Sequence, residues 1–236
     1  MADGSDPLPV VLIPGLTCSA RLYADQIPAL WRRGPVVIAD HTRDDSMAAI
    51  AKRILANAPP RFALAGLSMG GYIAFEIMRQ APQRVTRLAL LDTGARGETP
   101  EQTERRQPAI ALAKAGRYRE IVDLAFPIYV HRNRRNDEAL KKIAITMAEE
   151  TGVEAYFRQQ QAIIGRPDSR PGLAPIACPT MVLVGDGDEA TPPELAREIA
   201  AGIRGARLVV IPDSGHLSTL ERPEAVTKAM LEWLAA

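Results

Sequence analysis

A lone serine flanked by glycines, GLSMGG at residues 66–71, lies where the apolar run FALA gives way to YIAFEIMRQAP. A turn needs one glycine and a helix start needs only the serine. Having both, with Gly66 and Gly70 two positions either side of Ser68, predicts a strand-to-helix turn too tight for side chains. Such a turn lifts the Ser68 hydroxyl above a sheet and aims the free N–H groups of the following helix at the place where an oxyanion would form. The chemistry this suits is acyl transfer through a serine nucleophile.

A serine hydroxyl is a weak nucleophile at neutral pH and requires a base within hydrogen-bond reach. His216, in PDSGHLSTLE, follows a small D-S-G loop past the end of the last apolar strand and is the first candidate. His41, after the strand VVIAD, is the reserve, and His131 in the run HRNRR reads as a surface residue. The imidazole in turn needs a carboxylate to fix its tautomer. Asp188 and Asp186, in the turn after TMVLVG, and Asp92, at the end of LALLD, are the three possibilities. Asp188 is favoured because a side chain three residues past Gly185 can swing back toward the histidine loop, whereas Asp186 suits a turn cap.

These residues need a frame. PVVLIPG (9–15), PVVIAD (35–40), FALAGLS (62–68), VTRLALLDTG (85–94), CPTMVLVGDGD (178–188) and ARLVVIPDSGH (206–216) are apolar throughout, not at every second residue. They alternate with helical patterns at 19–34, 44–59, 69–82, 192–203 and 223–236, which predicts a parallel sheet covered on both faces. In the first of these helices Leu22, Tyr23, Ile27, Leu30 and Trp31 are expected along one stripe, and in the second the opening acidic residues are expected to favour the helix start. Between Glu98 and about Pro171 no strand is evident. That stretch reads as a helical insertion of the size of a subdomain, giving a division into a core of residues 1–97 and 172–236 and a helical cap of residues 98–171. Ligands of open α/β sheets bind at the carboxyl ends of the strands, where all the candidate residues fall.

The bulk numbers exclude several classes. A composition 47% hydrophobic and 24% charged is that of an ordinary globular protein. Lysine and arginine number 29 against 28 acidic residues, a net charge of +1, which gives no reason to expect nucleic acid or an anionic membrane as partner. The opening MADGSDPLP has two aspartates and no apolar h-region, so no secretory leader and a cytoplasmic location are expected. Cys18 and Cys178 read as two reduced thiols rather than a disulfide. No metal-ligand spacing appears, and neither metal nor cofactor is expected.

The three stretches GLSMGG, GDGDEATPP and GHLSTLERPE, in that order, resemble the small cap-bearing esterases and lactonases of the α/β-hydrolase superfamily. The likeness spans residues 9–94 and 178–236. It implies an α/β-hydrolase fold with a six-stranded, all-parallel sheet flanked by helices and a helical cap over the active site, with Ser68, Asp188 and His216 as catalytic triad. It further implies an oxyanion hole from the backbone N–H groups of Met69 and Leu16. Where such proteins often have histidine before the glycine of that first loop, this chain has Pro14, so the loop lacks its usual side-chain support. Under the cap, Phe126, Tyr129, Tyr156, Phe157 and Leu217 are expected to line an apolar pocket, with Met69 contributing to its floor. The implied activity is hydrolysis of a small carboxylic ester. A lactone or enol-lactone stands next, then cofactor-free perhydrolysis, carbon–carbon bond hydrolysis or thioester cleavage, and last a non-catalytic binding module. The expected partner is a small-molecule ester or lactone, and no motif bears on oligomeric state.

Overall fold

The computed structural model describes residues 8–236, so most of the segment read as lacking a secretory leader lies outside the described residues. Six strands, β1 (Val10–Ile13), β2 (Val36–Ile38), β3 (Phe62–Leu67), β4 (Val85–Leu91), β5 (Thr180–Gly185) and β6 (Arg207–Ile211), form one sheet in the order β2-β1-β3-β4-β5-β6. Every neighbouring pair is parallel, as the unbroken apolar runs predict. Alternate residues serve opposite faces. Val11, Ile13, Leu64, Leu90 and Val182 enter one core with α2 (Met47–Asn57), α3 (Met69–Gln80) and α8 (Pro193–Gly202). Val10, Leu12, Ala65, Leu91 and Leu183 enter the other with α1 (Ile27–Trp31) and α10 (Pro223–Ala235). Both faces of the inner sheet are covered, so β1, β3 and β5 are buried at every position, whereas the edge strand β6 is exposed at Arg207, Leu208 and Val210.

The register decides where function can reside. Ile13 pairs with Gly66, Leu67 with Leu91, Leu91 with Leu183, and Gly185 with Ile211. The strands therefore stop along one edge. The residues that follow, Pro14–Thr17, Ser68, Asp92, Asp186–Asp188 and the loop to His216, emerge side by side there. Between β4 and β5 the chain runs through α4 (Pro100–Lys114), α5 (Tyr118–Tyr129), α6 (Glu138–Thr151) and α7 (Val153–Ile164), with no strand. A reciprocal Thr99–Gln102 capping box starts α4. Phe126, Leu140 and Met147 join one core of the sheet and Ala162 and Ile163 the other, while Ile110, Ala113, Ile121 and Tyr156 form a cluster within the insertion. A short helix, α9 (Ser218–Glu221), precedes α10.

Two local expectations differ from the structure. Residues 19–34 do not form one helix but a 3₁₀ turn at Ala20–Tyr23 followed by the single-turn α1. Pro28 has no N–H to bond the carbonyl four residues back, which disfavours a helix continuing from Ala20, and it falls instead in the first turn of α1, where that N–H is not needed. With the phase broken, Trp31 leaves the expected stripe and is 63% exposed. The second helix begins at Met47, capped by Ser46, whose hydroxyl accepts the Ala49 N–H. Asp44 does not serve the helix end and pairs with Arg53.

The N-terminus of α3 is pressed against the end of β1. A Cβ placed on Gly70 would lie 2.1 Å from the Ile13 carbonyl oxygen and 2.9 Å from that of Pro14. Backbone cannot yield as a side-chain tip can. Gly70→Ala is expected to cost about 3 kcal/mol, the upper end of overpacking, and to lower Tm by roughly 6–12 °C in a chain of this size. Gly172→Ala, with nothing within 4 Å of the added carbon, should leave Tm within about 2 °C. Thermal melts followed by circular dichroism check both.

Candidate active site

Ser68 joins β3 to α3 with φ 56° and ψ −116°, a left-handed conformation that a residue with a side chain rarely adopts. Its neighbours explain how the chain tolerates it. A Cβ on Gly66 would lie 2.2 Å from the Gly70 carbonyl oxygen, and one on Gly71 would lie 2.4 Å from Thr93 Oγ1. Gly66 is thus required by collision across the turn, as its spacing predicts, whereas Gly70 is required by β1. The Ser68 N–H donates to the Leu91 carbonyl (3.0 Å) and its own carbonyl accepts the Thr93 hydroxyl (2.8 Å). The Ser68 side chain caps nothing on its own helix. Its Oγ instead lies 2.8 Å from His216 Nε2.

On the far side of the ring, His216 Nδ1 lies 2.8 Å from Asp188 Oδ2. An ionised carboxylate only accepts, so Nδ1 carries the proton and Nε2 is left to accept from Ser68. Asp188 is fixed by its own turn. Its Oδ1 accepts the N–H groups of Ala190 (2.8 Å) and Thr191 (2.9 Å), and its Oδ2 also accepts the Thr191 hydroxyl (2.7 Å). Burial pushes the Asp188 carboxyl up, but attraction to His216 and the bonds from His216 and Thr191 outweigh it and hold the carboxyl below its ordinary range. Burial pushes His216 down, and Asp188 more than reverses that, leaving the imidazole above its ordinary 6.5.

The other two aspartates go elsewhere. Asp186 accepts the Ser214 N–H (3.2 Å), a turn cap. Asp92, fully buried, accepts the Gly185 N–H (2.9 Å) and the Ser218 hydroxyl, tying β4 to β5 and to the residues after His216. Burial and then the nearby charge of Asp188 push its carboxyl well above the usual range. His41, the reserve base, is buried and its Nε2 donates to the Gly15 carbonyl (2.9 Å) rather than meeting Ser68.

His131 is not a surface residue but only 6% exposed. The insertion folds back there onto the His216 loop. The N–H groups of His131 (2.8 Å) and Gly215 (2.9 Å) both donate to the buried Glu221 carboxylate, and the Leu217 N–H donates to the Tyr129 carbonyl (3.0 Å). Within the basic run, Arg134 donates to the Glu221 carbonyl and Asp137, and Arg135 pairs with Glu189. Of these contributors, Thr191 carried a signal, the TPP of GDGDEATPP. Glu221 likewise stood in GHLSTLERPE, without a role attached.

Above Ser68 lies a cavity of about 470 Å³, a size suited to a small organic ligand. Leu16, Phe126, Tyr129, Tyr156 and Leu217 line it, as do Tyr72, Leu112 and Ile121. Phe157 does not. Adjacent residues on a helix point about 100° apart, so Tyr156 faces the cavity while Phe157 packs within the insertion. The Met69 side chain is fully buried in the sheet core and forms no part of the floor. Among the described residues, the N–H groups of Leu16 and Met69 have no acceptor. One polar corner interrupts the apolar wall. Arg106, paired with Glu98, reaches Gln160 there, and Arg166, also on Glu98, lies over the Tyr72 ring at 4.5 Å.

Residues 10–229 match the model of the alpha/beta hydrolase family. A protein of Mycobacterium tuberculosis whose name, BpoC, places it with non-heme bromoperoxidases is 32% identical over 193 residues, covering 76% of this chain and 69% of that protein. A thermophilic esterase from Thermogutta terrifontis, solved with malate bound, superposes with a TM-score of 0.88 at 31% identity. The match takes in 98% of this chain and 90% of the esterase. The enol-lactonase from Burkholderia xenovorans LB400 gives 0.86 at 26% identity, over 100% of this chain and 94% of the lactonase.

The electrostatics can be tested without a substrate. His216 should titrate above 6.5 in ring-proton NMR. In Asp188→Asn burial remains while the attraction is gone, so the same ring should titrate below its wild-type value. A shift upward, or none, would contradict the assignment of Asp188 as the partner of His216.

Proposed function

The chain belongs to the alpha/beta hydrolase family, and from that premise we propose that it is a serine hydrolase cleaving a small carboxylic ester through an acyl-enzyme. The observation that carries this reading is the unbroken relay of two 2.8 Å contacts, Ser68 Oγ to His216 Nε2 and His216 Nδ1 to Asp188 Oδ2, opening onto an apolar cavity. His216 takes the Ser68 proton as Oγ attacks the ester carbonyl. Asp188 holds the ring in the required tautomer and stabilises the imidazolium. The Leu16 and Met69 N–H groups receive the tetrahedral oxyanion. His216 then gives its proton to the departing alcohol, and water, deprotonated by the same ring, releases the acid.

Residues 98–171 act as a cap in this reading, supplying the apolar wall for the acyl group. A cyclic ester suits the same machinery, and the likeness to the enol-lactonase makes lactones the second substrate class.

The test is turnover of p-nitrophenyl esters with methanol as a competing nucleophile. Butyrate should be cleaved well and palmitate poorly, because the cavity is of limited volume. Methyl butyrate should accumulate at the expense of butyric acid, since methanol intercepts the acyl-enzyme. Ser68→Ala should lose roughly 10⁴-fold or more in kcat. Undiminished turnover in Ser68→Ala, or no methyl ester at high methanol, would overturn the acyl-enzyme.

A further inference from the structure

The loop carrying Leu16 lacks the histidine that commonly precedes its glycine, yet it is not loose. Its successive peptide groups are each held at a defined point. The Gly15 carbonyl accepts two donors, His41 Nε2 (2.9 Å) and the Cys18 N–H (3.1 Å). The next carbonyl, that of Leu16, accepts the Thr17 hydroxyl (2.6 Å), and the Thr17 N–H donates to Gln159 Oε1 (3.1 Å). Thr17 itself has φ 58°, a left-handed conformation that needs outside support. His41 is 2% exposed and Gln159 is fully buried.

The geometry of the peptide bond gives these contacts a consequence. The Gly15 carbonyl and the Leu16 N–H belong to one planar trans unit, so fixing the oxygen on one side fixes the direction of the N–H on the other. A donor on that carbonyl also polarises the amide and strengthens its N–H as a donor. The following peptide, Leu16–Thr17, is held at both its oxygen and its nitrogen, so the pair cannot rotate together. What is left over is the Leu16 N–H. Gly15, whose added Cβ would come within 3.4 Å of Ser68 Cβ, sets the loop directly against the nucleophile.

We infer that His41 and Gln159 are positioning residues that clamp the loop after β1 from two sides and set the direction of the Leu16 N–H toward the oxyanion. The inference rests on the serine-hydrolase reading above and on Leu16 as an oxyanion donor. His41 comes from the loop after β2, in the core, while Gln159 comes from α7, in the insertion. The preceding residue on that helix, Arg158, donates to the Thr42 carbonyl beside His41 (2.8 Å), so α7 grips both loops at once. The insertion therefore does more than wall the cavity: its last helix takes part in shaping the hole.

The test compares His41→Leu, His41→Gln and Gln159→Leu with wild type. The readouts are p-nitrophenyl butyrate kinetics, inhibition by an alkyl trifluoromethyl ketone, which forms a tetrahedral adduct on the serine, and Tm. His41→Leu should lower kcat about 10- to 100-fold, short of losing an oxyanion donor outright, with KM within about threefold. Affinity for the trifluoromethyl ketone should fall by a similar factor. His41→Gln, which can place an amide N–H near the position of Nε2, should recover most of both, and Gln159→Leu should reproduce the kcat loss from the insertion side. Unchanged kcat and inhibitor affinity in folded His41→Leu and Gln159→Leu would overturn the inference. If His41→Leu does not fold, Gln159→Leu decides alone. A wild type that cleaves neither esters nor lactones and binds no trifluoromethyl ketone would overturn the underlying reading and this inference with it. That failure is told from the first because it appears in wild type.

Discussion

Ser68 holds φ 56° and ψ −116° between a strand and a helix, and the rest of the site is organised by what that conformation demands. A non-glycine residue there stores on the order of 1–3 kcal/mol, which only an over-determined surround can maintain. The surround is backbone against backbone. Gly66 lies against the Gly70 carbonyl and Gly70 against the Ile13 carbonyl, so β1, β3 and α3 meet with no side chain between them. That contact places the loop after β1 beside the serine. The Ser68 side chain makes no cap on its own helix, and its hydroxyl meets His216.

Around the imidazole three buried carboxyls compete, and the protein gives them different fates. Asp188 receives three hydrogen bonds from its own turn besides the histidine, and its charge is held. Asp92 and Glu221 are pushed upward by burial. Each bridges segments, Asp92 between β4, β5 and Ser218, Glu221 between the insertion at His131 and the loop at Gly215. Asp188 alone touches the ring and fixes its tautomer. Asp92 and Glu221 act on His216 from further off, pushing it in the same upward direction.

Much of this was legible in the sequence, and the reasons for the exceptions are physical. The sheet could be read because a doubly covered strand must be apolar at each position. Ser68 and His216 could be singled out because glycine spacing and strand ends are local signals. The choice among Asp188, Asp186 and Asp92 could not be closed that way, since all three stand at strand ends. Tertiary contact separates them, with Thr191 orienting the first and Ser214 and Ser218 occupying the others. The contact between Thr17 and Gln159 joins residues 142 positions apart and left no pattern to find. His131, in a run of cations, looked solvated, but the backbone there is drawn in by Glu221. Phe157 and Met69 were the right residue types on the wrong face of their helices. Pro28 suits the first turn of a new helix better than the middle of a continuous one, and the chain restarts there despite the apolar stripe.

In the proposed mechanism Ser68 is an activated nucleophile, and intact-protein mass spectrometry after exposure to a fluorophosphonate measures this most directly. Wild type should gain one adduct, mapped to the peptide containing Ser68, with no adduct in Ser68→Ala and much slower labelling in His216→Ala. A folded wild type that gains no adduct, or an adduct that persists in Ser68→Ala, would contradict it.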